Sequence, residues 1–160
     1  MNSMFSYIQN AVADSLSTEV FNKARTVEDF QIIDTVYGAG NPTVYDSVLH
    51  SPGQRRGMDG GLLDEENIVG TMVSNDTLSV TNETIANPYI LLGNKVKDSK
   101  NIGQPLTPIV EYGGAENYDF GEGWWSVPRP FTENTIKQLE ATGEHVFALQ
   151  AGLKRNGISS

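Results

Sequence analysis

The sequence contains no cysteine. That excludes disulfides, thiolate zinc sites and cysteine nucleophiles together, and it fits a reducing compartment. Basic residues are few: 11 Lys and Arg stand against 20 Asp and Glu in 160 residues, a formal net charge of −9. Nucleic-acid binders draw much of their affinity from basic patches that neutralise phosphate, so gripping a duplex is disfavoured. No apolar run approaches the roughly 20 residues that cross a bilayer, so no membrane partner is expected. The opening stretch, "MNSMFSYIQNAVADSL", has neither a basic nor a continuous apolar region and does not read as a secretory signal.

Catalytic patterns are missing as well. There is no G-x-S-x-G, no P-loop, no G-x-G-x-x-G and no H-E-x-x-H. His50 and His145 read as an ordinary loop and helix-surface residue. "MDGGLLDEEN" holds three acids but not the alternating ligands of a calcium loop, and it reads as a solvated acidic turn. No enzyme activity, metal or cofactor is expected.

What is present points to an α+β chain. The expected arrangement is an antiparallel β-sheet with a long N-terminal helix, a C-terminal helix packed on the sheet, and long loops. Met4, Ile8, Val12, Leu16, Val20 and Ala24 recur every four residues, one face of a helix, and Phe30, Ile33 and Tyr37 continue a similar spacing. Residues 41–66 read as a long loop. "IVGTMVS" and "TLSVTNE" flank Asn75-Asp76 and predict a hairpin. "LTPIVEY" (Leu106 to Tyr112) is a strand candidate, with Pro108 placing it at an edge or a strand start. A second loop, rich in glycine and aromatics, covers about 113–126.

The last helix carries the clearest signals. Thr132 suits the N-cap, and Glu133 in the first turn is spaced to pair with Lys137. Ile136, Leu139, Val146, Leu149 and Leu153 share a face, and Gly157 suits the residue just past the end. In the preceding loop, Tyr118, Trp124 and Trp125 are of the types that dominate interface hot spots, and they could equally cover the sheet.

Three blocks stand in order: "VYGAGNPTVYDS", "RRGMDGGLLDEENI" and "VPRPFTENTIKQLEATGEHVFALQAGLKRNGI". Together they resemble the small head–tail joining proteins of long-tailed phages, variously called neck, minor capsid or tail-completion proteins. The shared features include a Gly-Gly-Leu-x-Asp turn before a hairpin, a Pro-Arg-Pro-Phe lead into the last helix, and a Gly-Leu-Lys-Arg-type end. The resemblance covers 35–83 and 127–158. The chain departs at "DSVLHSPGQ", which separates Tyr45 from Arg55 and Arg56.

The resemblance implies one head–tail joining domain over 1–160, without catalysis. It implies a homo-oligomeric ring, six- or twelve-fold, between the portal-side connector and the tail terminator or tail tube. DNA would pass through the lumen without specific binding. Assembly would take place in the host cytoplasm, and the mature location would be the virion neck. Arg55, Arg56, Tyr118, Trp124, Trp125 and Arg129 are the candidate subunit and partner contacts. A tail terminator is the alternative. A glycan-binding or hydrolase domain using the Trp-rich loop is a more distant one.

Overall fold

A computed structural model of the chain describes residues 2–38, 61–85, 90–91, 94–95, 103–113 and 127–158. The fold is α+β with antiparallel strands. The chain divides into two compact units, one of Met1–Asp29, Val69–Thr81 and Glu133–Ser160, the other of Phe30–Ile68 and Asn82–Thr132.

The first unit is built on helices. Helix α1 (Asn2–Ser15) runs through a π-helical segment (Leu16–Val20) into α2 (Phe21–Gln31), with Ser15 and Phe21 both in the right-handed helical region. Ser15 and Thr18 hydroxyls donate back to the carbonyls of Ala11 and Asp14, four residues earlier. Such bonds loosen the regular ladder, and here they adjoin the change to i→i+5 bonding. The wider turn resets the helical phase for the residues after Ser15. Ala11, Ser15 and Ala24 are buried, whereas Met4 and Ile8 are exposed. Met4 and Ile8 stand at i, i+3 and i+4 spacings from Ala11 and Ser15, so they share that face and differ in being uncovered there.

The hairpin agrees with expectation: β1 (Ile68–Ser74) pairs with β2 (Thr77–Asn82) across Asn75-Asp76. The Asp76 carboxylate closes the turn by accepting the Ser74 hydroxyl at 2.5 Å and that of Thr77 at 3.2 Å. The Phe21 ring lies on β1 at Gly70, where an added Cβ would come within 2.5 Å of the ring.

The last helix is two helices, α4 (Phe131–Thr142) and α5 (Glu144–Arg155). Gly143 separates them at φ +67°, a left-handed conformation that costs glycine nothing. The break changes the helical phase. Ile136 and Val146, expected on the buried face, are exposed, while Thr135 and Gly152 are buried. The expected end at Gly157 is present: its N–H donates to Lys154 O at 3.0 Å, and Ile158 N–H donates to Leu153 O at 2.9 Å. Glu133 and Lys137 pair as expected.

The second unit holds a π-helical segment (Ile32–Tyr37), the short antiparallel strands β3 (Ile90–Leu91) and β4 (Asn94–Lys95), and α3 (Leu106–Tyr112). Helix α3 corrects the strand expected for "LTPIVEY". Pro108 falls in its first turn, where a missing N–H breaks no helical bond. Gly113, left-handed at φ +61°, ends it. The core gathers Ile32, Val36, Leu62, Leu63, Val110 and Phe131, with Tyr37 and Leu106 packed against it. Burying a side chain such as Phe131 contributes roughly 1.5–3 kcal/mol.

The end of the expected 41–66 loop is part of this core. Leu62 and Leu63 point inward, while Glu65 and Glu66 remain exposed. Residues 41–60 and 114–126 lie outside the described residues.

Candidate functional site

Arg129 is 7% exposed, a buried residue of the second unit. Its backbone N–H donates to Val110 O at 3.0 Å, and its carbonyl accepts Phe131 N–H at 2.8 Å. The Pro128-Arg129-Pro130 segment is thereby fixed to α3 just before Phe131 enters the core. Glu111 on α3 completes the joint: its carboxylate accepts the backbone N–H of Thr132. The sequence pattern assigned that capping role to the Thr132 side chain. Helix α4 instead starts at Phe131, which puts Thr132 in the first turn, and the cap comes from Glu111, 21 residues earlier. A carboxylate there also favours the positive end of the helix dipole.

A second polar cluster ties the Gly61–Leu62 turn to the end of β2. The Asn82 side-chain amide donates to Leu62 O at 2.9 Å, and Asn67 donates to Gly61 O at 3.0 Å. Thr84 is 1% exposed, with its hydroxyl 2.6 Å from the Asn82 side-chain oxygen Oδ1 and 3.1 Å from Gly61 O. Thr107 at the start of α3 donates to Asn82 O at 2.8 Å. Buried groups satisfied in this way fix one arrangement of the turn, because leaving any of them unpaired is costly.

In the first unit, α1 and α5 meet at small residues. A Cβ on Gly152 would stand 2.5 Å from the Ser15 Cβ and 2.7 Å from Glu19 Oε2. Beside this contact, Arg155 holds Asp14 and also Glu19, the latter at 2.7 Å. Those two acids are five residues apart. The i→i+5 turn brings them to one side, where a single guanidinium reaches both. The Asn156 amide also donates to Asp14 at 2.9 Å. That hydrogen bond, then the Arg155 charge, lowers the Asp14 pKa from its ordinary value. The Tyr7 hydroxyl donates to Asn156 O.

Residues 1–155 match the YomN family. The chain belongs to the YomN family. YomN is a phage-associated protein, which agrees with the phage character implied by the sequence blocks. No curated protein and no solved structure matches the chain.

The blocks that carry the resemblance thus have structural roles. Val36, Tyr37, Leu62 and Phe131 form or line one core. Gly152 and Arg155, from the Gly-Leu-Lys-Arg end, make the close contact and the ion-pair clamp of the first unit. Of the sequence-derived contact candidates, Arg129 is buried, and Arg55, Arg56, Tyr118, Trp124 and Trp125 lie outside the described residues. Missed in the sequence pattern was an exposed apolar group on the first turns of α1: Met4, Phe5, Tyr7 and Ile8. A signal for it was visible, since no charged residue precedes Asp14.

Proposed function

We propose that this YomN-family protein is a structural, non-catalytic subunit of the phage neck. It would form a homo-oligomeric ring that joins the DNA-filled head to the tail. The observation that carries the reading is the convergence of all three neck-like blocks on one core, through Val36, Leu62 and Phe131. Separate stretches that resemble one family and also pack together are what a shared subunit architecture requires. The acidic balance of −9 supports it further, because a lumen lined by such a protein would let DNA slide without gripping it. Its neighbours along the axis would be a portal-side connector and the tail terminator or tail tube.

The test is a phage lacking this chain, examined by electron microscopy beside a reconstruction of the intact particle. The expected result is complete heads and complete tails left unjoined, with the chain located at the neck. Tails of uncontrolled length would move the reading to a tail terminator. Absence of the chain from the particle would overturn it.

A further inference from the structure

The first unit has two exposed apolar groups, and its internal register puts them at opposite ends. Ser15 lies against Gly152, and Lys23 pairs with Glu144 at 3.3 Å, so α1–α2 and α5 run antiparallel. Tyr7 meets Asn156 in the same register. Met4, Phe5 and Ile8 therefore sit beside the end of α5. Val146 and Phe147 sit at its beginning, just past Gly143. At 1.5 Å per helical residue the two groups are about 20 Å apart along the pair.

Both ends are nearly free of net charge in a chain of −9. The first 13 residues carry no charged side chain. Around the bend the acids are Glu133, Glu140 and Glu144, and two of them are neutralised within the unit, Glu133 by Lys137 and Glu144 by Lys23. This pattern argues against a lipid surface, since interfacial helices rely on many Lys and Arg, whereas the first 13 residues have none and the adjoining last turn of α5 adds Lys154 and an Arg155 already held by Asp14 and Glu19. It suits a second copy of the same acidic chain. Copies that repel each other elsewhere can approach where charge is absent or paired.

We infer that copies of this chain associate head to tail, the α1 end (Met4, Phe5, Ile8) of one copy against the start of α5 (Val146, Phe147) of the next. Two different patches on one subunit make a heterologous contact, which gives a ring where the rotation between copies closes and a filament where it does not. Stable interfaces bury about 800 Å² per partner, so these side chains act as anchors within a larger contact. The inference rests on the ring reading above and names the surface that builds it.

Two variants test it: Phe5→Glu with Ile8→Glu at one end, and Val146→Glu with Phe147→Glu at the other. All four side chains are exposed, and circular dichroism checks that each variant keeps its helix content. By light scattering the unaltered chain is expected to assemble, and each variant alone to stay at the 17.5 kDa monomer. An equal mixture retains one intact contact, so it should form a dimer and nothing larger. A mixture that stays monomeric, an unaltered chain that never assembles, or assembly of either variant alone overturns the inference. The mixing result does not depend on where the chain lies in a particle, so the neck reading can fail while this one stands.

Discussion

The Glu111 carboxylate accepts the backbone N–H of Thr132, so one short helix caps the start of another within the second unit. Glu111 is buried, and Thr132 is exposed. Replacing Glu111 by Ala is expected to cost about 1–2 kcal/mol, the scale of a lost N-cap. Thr132→Ala should cost about 0.5 kcal/mol or less, as at an ordinary surface position. Urea denaturation midpoints of the two variants measure the difference. Equal losses would return the cap to Thr132.

Gly152→Ala runs against helix propensity. An exposed helical glycine replaced by alanine gains about 1 kcal/mol. Here the new methyl would meet Ser15 and Glu19 at 2.5–2.7 Å. A net loss of about 1–3 kcal/mol is expected, the usual cost of overpacking. Pairing it with Ser15→Gly should recover part of the loss, and a thermal unfolding series of the single and double variants checks this.

The Asp14 clamp gives a pH dependence of defined sign. Its pKa is lowered in the folded chain from the ordinary 3.8, chiefly by Asn156 and then by Arg155. The folded state therefore binds fewer protons there than the unfolded state, and stability rises with pH across that window. The contribution is fully present above 3.8 and is lost as pH falls through the lowered folded value. Asp14→Asn should flatten this acid limb of the stability profile while leaving neutral-pH folding cooperative. An unchanged acid limb would contradict the clamp.

Phe131 and Ile136 separate the two readings of the last helix. Phe131 is fully buried and Ile136 is 53% exposed. Phe131→Ala is expected to cost about 3–5 kcal/mol. Ile136→Ala should remain within about 0.5 kcal/mol in the monomer. A guanidinium titration on dilute protein gives both values.

What could be read from the sequence follows the range of the interactions. The hairpin was legible because strand alternation and the Asn75-Asp76 turn are local chemistry. The Gly157 stop was legible for the same reason. The α3 segment misled because Ile109 and Val110 favour strands, while its helical bonding depends on packing against distant residues. The Glu111 cap could not be seen, since nothing local links it to Thr132. Helix faces were misplaced at Ile33 and Ile136 for a common reason. A 3.6-residue spacing assumes unbroken α-helix, and Leu16–Val20, Ile32–Tyr37 and Gly143 each reset it. The exposed end of α1 was legible only as a lack of charge.

The wide turn at Leu16–Val20 sets an angular relation between the arm before it and the helix after it. Each residue of an α-helix advances the side chains by about 100°. Deleting one residue there would let ordinary bonding resume and swing Met4, Phe5 and Ile8 around the axis by about that angle. The composition of the arm would be untouched, yet its apolar edge would face a different direction. In this protein the length of one helical turn, counted in single residues, decides which way that edge faces.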